Sequence, residues 1–141
     1  MKKIFLILAL VASTLVACKK YEVVKPYTLP EVAQKMWVLE SLQVTENGLP
    51  ADDLTMYNGF TLQFVGEKYY VSNGNDAFPE TEGKWRFSND KFTEIVFDDE
   101  ITAEVSRFNA SELNFTFTRK GGLVNGRIPD RTFVFELVAF K

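Results

Sequence analysis

Residues Leu113–Thr118 read LNFTFT, and large apolar side chains alternate with polar ones along the whole stretch. Successive side chains of an extended strand point to opposite faces of a sheet, so Leu113, Phe115 and Phe117 share one face. A helix would instead collect residues three and four apart on one face. The stretch therefore predicts a β-strand with one apolar face.

Similar runs, several with the same period-two alternation, recur through the chain, separated by short segments rich in Gly, Asn and Asp. Eight strands are predicted: Trp37–Thr45, Phe60–Val65, Tyr69–Asn73, Lys84–Ser88, Phe92–Phe97, Ile101–Phe108, Leu113–Thr118 and Thr132–Phe140. Most connections have hairpin length, which favours antiparallel neighbours, because parallel pairing needs a crossover of a dozen or more residues. Before the first strand, Glu31–Met36 is predicted to form a single helical turn.

Eight such strands can close on themselves with their apolar faces inward, which removes exposed sheet edges. The predicted fold is therefore all-β, an antiparallel up-and-down eight-stranded β-barrel. A two-sheet sandwich is the alternative, since alternation alone does not separate the two.

The first residues have the character of an export signal. Lys2 and Lys3 precede an apolar run at Ile4–Val11, and small residues follow. The run is shorter than the roughly 20 residues that span a bilayer, which favours cleavage over retention as a membrane helix. The expected organisation is a signal peptide at 1–17, a tether at 18–30 with two prolines, and one domain at 31–141.

Leu15-Val16-Ala17-Cys18 resembles the lipobox of bacterial lipoproteins. The resemblance implies that Cys18 becomes the first residue of the mature chain and carries a diacylglyceryl group with acyl chains such as palmitate, usually with an acylated amino terminus. Two or more acyl chains give lasting membrane attachment. An ordinary signal peptide with an incidental cysteine is the alternative.

The residue after the cysteine bears on the choice of membrane. Lys19 is not the aspartate that in some bacteria retains lipoproteins at the inner membrane, so the outer membrane is favoured. The sequence does not decide between its periplasmic face and the cell surface.

The composition excludes several classes of function. The single cysteine allows no intramolecular disulfide, and a chain without histidine lacks the commonest zinc ligand and the commonest general base. No catalysis, metal or cofactor is therefore expected. Because Lys2 and Lys3 leave with the signal, 14 basic and 19 acidic side chains remain, which argues against a nucleic-acid partner.

Two tryptophans carry a family resemblance. Trp37 opens the first predicted strand in MWVLESL, and Gly83 and Trp85 form a Gly-x-Trp in EGKWRFSND. With the lipobox and the tether, this pattern is similar to the lipocalin-like lipoproteins of Gram-negative bacteria, whose first strand typically carries Gly-x-Trp; here the first glycine is absent. The resemblance implies an eight-stranded barrel with an internal cavity or a packed core, and no catalytic machinery.

The inward aromatic residues are the candidate lining of a cavity for a small hydrophobic ligand, which would make the protein a carrier or sensor. They are Trp37, Phe60, Phe64, Trp85, Phe87, Phe115, Phe117, Phe133 and Phe135. The same rings are bulky enough to fill a barrel of this size, so a packed core is the alternative. In that case the protein would be an interaction module, such as an inhibitor or an accessory subunit of an envelope complex.

The last connection, RKGGLVNGRIPDR, is basic and glycine-rich on an acidic domain. It is a candidate contact site for an envelope protein, through Arg119, Lys120, Leu123, Arg127 and Arg131. The alternative is a long hairpin that folds back over the barrel mouth.

Overall fold

The computed structural model describes residues 29–121 and 129–141, apart from the side chain of Leu29. The predicted signal peptide, Cys18 and nearly all of the predicted tether lie outside the described residues, as do Leu123 and Arg127. The elements are α1 (Leu29–Ala33), β1 (Met36–Glu46), β2 (Leu49–Pro50), a 3-10 turn (Thr55–Tyr57), β3 (Thr61–Val65), β4 (Lys68–Ser72), β5 (Glu82–Phe87), β6 (Glu94–Phe97), β7 (Ile101–Phe108), β8 (Glu112–Arg119) and β9 (Arg131–Ala139).

The strands form one closed antiparallel barrel. Neighbours follow chain order from β3 to β9, β1 pairs with β3, and β1 also pairs with β9. The closing ladder runs from Trp37↔Ala139 to Glu46↔Arg131. Eight strands make the wall, since the two-residue β2 pairs only with the end of β1. The predicted eight-stranded up-and-down barrel is confirmed, and the closing β1–β9 ladder excludes the sandwich.

The barrel has two ends that differ in what covers them. The α1 end carries α1 and the turns that join β3 to β4, β5 to β6 and β7 to β8. The far end carries β2, the 3-10 turn, the β4–β5 connection, the last residue of β8 and the first residue of β9. Because the strands run up and down, the chain enters at one end and the basic connection begins at the other.

Most strand boundaries differ from the predictions by one or two residues, and three differences between prediction and structure have a physical reason. The helical turn was predicted at Glu31–Met36, but α1 ends at Ala33, because Met36 already pairs with Gln63 in the barrel wall. The strand predicted at Phe92–Phe97 begins at Glu94 instead. Phe92 lies in a turn with φ 57°, and the Asn89 side chain accepts the backbone N–H groups of Lys91 and Thr93 at 3.2 Å each.

The third difference is in the connection between β1 and β3, which sequence reasoning left without structure. It contains β2 and the 3-10 turn. Asn47, at φ 51°, and Gly48, at φ 80°, form a tight turn that brings β2 back onto β1. Asn-Gly favours a turn of this kind because both central residues need positive φ. The 3-10 turn then buries Tyr57 against the core.

Candidate functional site

The barrel interior holds the candidate cavity residues. Eight of the nine are buried: Trp37, Phe60, Phe64, Trp85, Phe115, Phe117, Phe133 and Phe135. The ninth, Phe87, is half-buried at the α1 end, where its ring stacks on Phe108 at a centroid distance of 5.6 Å. The alternation therefore placed eight of these nine side chains in the core.

Several of their rings are in direct contact on the inner face of the wall. The Phe60 and Phe135 centroids are 4.8 Å apart. Phe117 stacks on Phe133 at 5.3 Å, and Phe115 on Phe135 at 5.3 Å. Ring centroids 4.5 to 7 Å apart are in van der Waals contact. The last two pairs are register partners on the adjacent strands β8 and β9, so they pack side by side along the inner face of the wall.

Phe78 was not among the predicted residues, and it lies at the centre of this aromatic cluster. It comes from the β4–β5 connection, not from a strand, and its ring meets five others. The centroid distances are 5.1 Å to Phe97, 5.4 Å to Phe117, 5.8 Å to Phe135, 6.0 Å to Phe60 and 6.2 Å to Tyr69. The available signal was an Ala-Phe pair within a connection otherwise made of Gly, Asn, Asp, Glu, Thr and Pro.

A polar cluster at the far end holds the connection that carries Phe78. Asp76 accepts a hydrogen bond from the Tyr57 hydroxyl and an ion-paired hydrogen bond from the Arg131 guanidinium. Arg131 also donates from Nε to Glu46 at 2.5 Å. Burial raises the pKa of Tyr57, against the lowering effect of the Arg131 charge. These four residues, the far-end cluster, join β1, the 3-10 turn, the β4–β5 connection and β9.

A second polar contact lies on the wall between β4, β5 and β6. The Tyr69 hydroxyl donates to Asp98 at 2.5 Å, and the same carboxylate accepts the backbone N–H of Lys84 at 2.7 Å. Burial, followed by this hydrogen bond, raises the pKa of Tyr69 well above its usual range. Asp98 has φ 54°, a conformation that aspartate adopts more readily than most residues.

Both tryptophans have hydrogen-bonded indoles at the α1 end. Trp37 donates from Nε1 to the Ala33 carbonyl at 3.2 Å, and the Lys35 ammonium lies 5.4 Å from the Trp37 ring centroid. Trp85 donates from Nε1 to the Gly66 carbonyl at 2.9 Å. Each tryptophan therefore closes this end of the core while its N–H is satisfied.

Among the depressions on the outside of the described barrel wall, two border Trp85. The first is a groove of about 410 Å³ with charges of both signs, including Lys84, Arg86, Asp98 and Asp99. The second is a cleft of about 460 Å³ at the α1 end, lined by α1, the β3–β4 turn and the β5–β6 turn. Trp85 and Arg86 border both.

The described part of the basic connection makes contacts within the molecule. Arg131 belongs to the far-end cluster, and Lys120 lies 3.6 Å from Asp130 in an exposed ion pair. The Gly121 N–H also donates to Asp130, at 2.7 Å. Arg119 is the last residue of β8, paired with Arg131 in the ladder.

Two exposed apolar residues lie at the far end, Leu49 at 71% exposure and Met56 at 46%. At the α1 end the exposed apolar residues are Val65 and Phe140.

Among residues 29–121 and 129–141 no group of three or more Cys, Asp or Glu side chains is placed to hold a metal ion. No helix in that part of the chain is long and apolar enough to cross a membrane.

Comparison with known protein families, with curated proteins and with solved structures gives no match for this chain.

Proposed function

We propose that this chain is a lipid-anchored lipoprotein of the cell envelope whose lipocalin-like barrel is a filled scaffold for contact with another protein. Attachment is through Cys18, at the outer membrane, as the lipobox and Lys19 favour. The protein is an inhibitor or accessory subunit in this proposal, and it binds rather than catalyses.

The packing of the interior carries the proposal. Phe78 contacts five rings of the wall, and Phe60, Phe115 and Phe117 all contact Phe135. A ligand of ordinary size would have to displace several of these rings. A filled barrel offers a partner its surface, and its strand wall holds the attached turns in fixed positions.

The exposed residues of the far end favour that end of the barrel as the surface that contacts a partner. Leu49 and Met56 expose apolar side chains there, and the chain enters the barrel at the other end. A protein tethered to a membrane through its first residues presents that far end to the periplasm or the exterior. Apolar residues within a polar rim are typical of protein contact sites.

The test places a photoreactive amino acid at position 49 in the protein expressed in its own cells. The matched control carries it at position 65, which is also exposed and apolar but lies at the α1 end. We expect one discrete heavier adduct from position 49 and none from position 65. Equal labelling from both positions, or none from either, would contradict the proposal.

A carrier of a small hydrophobic ligand is the second candidate, and one observation favours it. Phe78 fills the interior from a connection rather than from a strand, so moving that connection would free space without breaking the wall. Native mass spectrometry of protein purified from its own cells separates the two proposals. A reproducible co-purified small molecule supports the carrier, and none supports the interaction module.

A further inference from the structure

The outer face of the barrel wall carries an apolar patch at the α1 end. Trp37 is buried in the core, so its neighbours Met36 and Val38 point outward from β1. Val138 of β9 pairs with Val38, and in the same register the Phe140 N–H donates to the Met36 carbonyl at 2.9 Å. Paired residues of antiparallel strands share a face, with Cβ atoms about 4.5–5.5 Å apart, so these four apolar side chains are neighbours.

The apolar surface continues onto β3 and β4. Gln63 pairs with Met36 of β1 and with Tyr70 of β4. Val65 lies two residues beyond Gln63 on the same face and pairs with Lys68. Val65 is 51% exposed and Tyr70 is 37% exposed. The α1-wall patch is defined by six residues from β1, β3, β4 and the end of β9: Met36, Val38, Val65, Tyr70, Val138 and Phe140.

The α1-wall patch is small for a contact between two free proteins. Its most exposed residue is Phe140, at 65%, and Met36, Val38 and Val138 are half-buried. A whole aromatic side chain has about 150–250 Å² of surface, whereas a stable interface buries about 800 Å² on each partner. A small patch is sufficient when a tether already holds its partner close, because the tether sets a high effective concentration.

The chain enters the barrel beside this patch. Met36 is the first residue of β1, and only Gln34 and Lys35 separate it from α1. Position 18 lies eleven residues before the first residue of α1, and a chain spans at most about 3.6 Å per residue. Attachment at Cys18 would therefore keep a membrane surface within about 40 Å of α1. The bilayer is thus a partner that the proposed attachment holds permanently within reach of this end.

The patch and its rim have a composition that suits the interfacial region of a bilayer. Tyr70 and Phe140 are aromatic, and amphipathic aromatic rings favour the headgroup level of membranes. Lys68 and Lys141 border the patch, are exposed, and form no ion pair with another described residue. Lysine stems lie along apolar surface while their ammonium groups reach outward, here toward lipid phosphates. Glu82, which pairs with Tyr70, ends the patch on the side away from Phe140.

We propose that the α1-wall patch rests in the headgroup region of the phospholipid bilayer. Phe140 and Val65 contact the upper part of the acyl chains, and Lys68 and Lys141 contact lipid phosphates. The inference rests on the proposed attachment at Cys18, because a patch of this size holds a protein on a bilayer only when a tether keeps it there. The contact places one side of the barrel against the membrane and directs the far end away from it.

Vesicles that contain a doxyl-labelled quencher lipid test the contact. Cys18 is the only cysteine of the sequence, so the full chain is coupled through it to a maleimide lipid in vesicles of phosphatidylcholine and phosphatidylglycerol. One variant carries Phe140→Trp, and the matched control carries Leu49→Trp at the far end; both positions are exposed. The emission of the unsubstituted protein, from Trp37 and Trp85, is subtracted from both. We expect the quencher lipid to reduce the remaining emission at least twofold more strongly in Phe140→Trp than in Leu49→Trp.

Equal quenching in the two variants would overturn the proposal, because the barrel would then have no preferred side toward the lipid. Protection of Phe140→Trp from the quencher that grows with protein density would also overturn it, in favour of a second copy as the occupant. Because the coupling supplies the attachment chemically, these outcomes concern the contact alone. Attachment in cells is tested separately, by fractionation of a variant without Cys18.

A second substitution tests whether the patch itself makes the contact. Adding Val65→Asp to Phe140→Trp should lower its quenching to the level of the Leu49→Trp control, since a carboxylate is repelled by anionic headgroups and disfavoured among acyl chains. The matched addition, Leu49→Asp, should leave the quenching of Phe140→Trp unchanged. Equal quenching with either addition would contradict a contact through this patch.

Discussion

The Asp98 carboxylate occupies the space that a side chain at Gly83 would need. A Cβ built on Gly83 would lie 2.2 Å from Asp98 Oδ1 and 2.3 Å from Oδ2, far inside van der Waals contact. The glycine of the Gly-x-Trp stretch is therefore explained by a neighbour from the turn after β6, whose carboxylate also accepts hydrogen bonds from the Tyr69 hydroxyl and the Lys84 N–H.

Gly83→Ala is expected to destabilise the fold by about 1–3 kcal/mol, because the carboxylate must move and its two hydrogen bonds weaken. Urea unfolding measures the loss. The double variant Gly83→Ala/Asp98→Gly removes the clash, so it should be less unstable than the two single losses added together. Additive losses would show that Asp98 is not what excludes a side chain at position 83.

Stability should fall in alkaline solution because of Tyr69. Its pKa is raised in the folded state, so the neutral phenol is favoured there, whereas the unfolded residue ionises near its ordinary pKa of 10.0. The contribution of Tyr69 is therefore full below about pH 10 and is lost as the pH rises from there toward the folded pKa. Urea unfolding between about pH 9 and pH 11 measures the decline. Tyr69→Phe should decline less steeply, and an unchanged slope would contradict the assignment.

Phe78→Ala should cost about 3–5 kcal/mol, the usual range for deleting a buried phenylalanine, because the rigid wall cannot collapse into the space. Phe140→Ala, at 65% exposure, is the matched control and should change stability by no more than about 0.5 kcal/mol. Denaturant unfolding measures both.

The same Phe78→Ala variant reports on the interior. An apolar cavity bordered by Phe97, Phe117 and Phe135 should take up a single-ring molecule such as benzene, detected as an increase in thermal stability. The wild-type protein should show no such increase. Stabilisation of the wild type by benzene would mean that the barrel has room for a ligand with Phe78 in place.

Arg131→Met should lower stability by about 1–2 kcal/mol, since Arg131 is 27% exposed and its loss leaves Glu46 and Asp76 without their shared cation. Arg86→Met is the control, because its ion pair with Asp99 is exposed and should contribute roughly 0–0.5 kcal/mol. Unfolding in low and high salt compares the two variants. Equal losses would show that the far-end cluster is no more than a surface ion pair.

Under the proposed attachment, Cys18→Ser should move the protein from the membrane fraction to the soluble fraction, because the variant lacks the thiol that would carry the lipid. Lys19→Ser keeps the cysteine and should remain with the membrane. Fractionation with immunodetection measures both. Retention of the Cys18→Ser variant in the membrane fraction would show that the anchor is elsewhere.

Local pattern accounted for the strands and for most of the core. The alternation at Leu113–Thr118 corresponds to β8, where Leu113, Phe115 and Phe117 are all buried. A strand buried on one face must alternate, so its signal is contained in a few neighbouring residues. The sequence left barrel and sandwich open, because closure depends on β1 meeting β9, more than 80 residues away.

The position of Phe78 in the barrel interior and the composition of the far-end cluster could not be predicted from local pattern. Phe78 has no periodic neighbours, and its burial depends on the connection folding inward. Glu46, Asp76 and Arg131 come from three separate segments, and the sequence assigned Arg131 to a partner-contact site. Their meeting follows from the barrel register, which the local pattern does not contain.

The β1–β9 ladder also constrains how the chain reaches its native state. β1 pairs with β3 over three residue pairs and with β9 over nine. Most of the residues that pair with β1 are therefore synthesised after all the other strands. The growing polypeptide therefore exposes one long edge of β1 until β9 (Arg131–Ala139) has been synthesised. Contacts between such distant segments slow folding, because the entropy of closing the intervening loop is lost before the strand pairing can stabilise the chain. Deleting β9 should leave a chain that stays protease-sensitive. Under the proposed export, a chain in that state is suited to passage through an export channel before it folds on the other side.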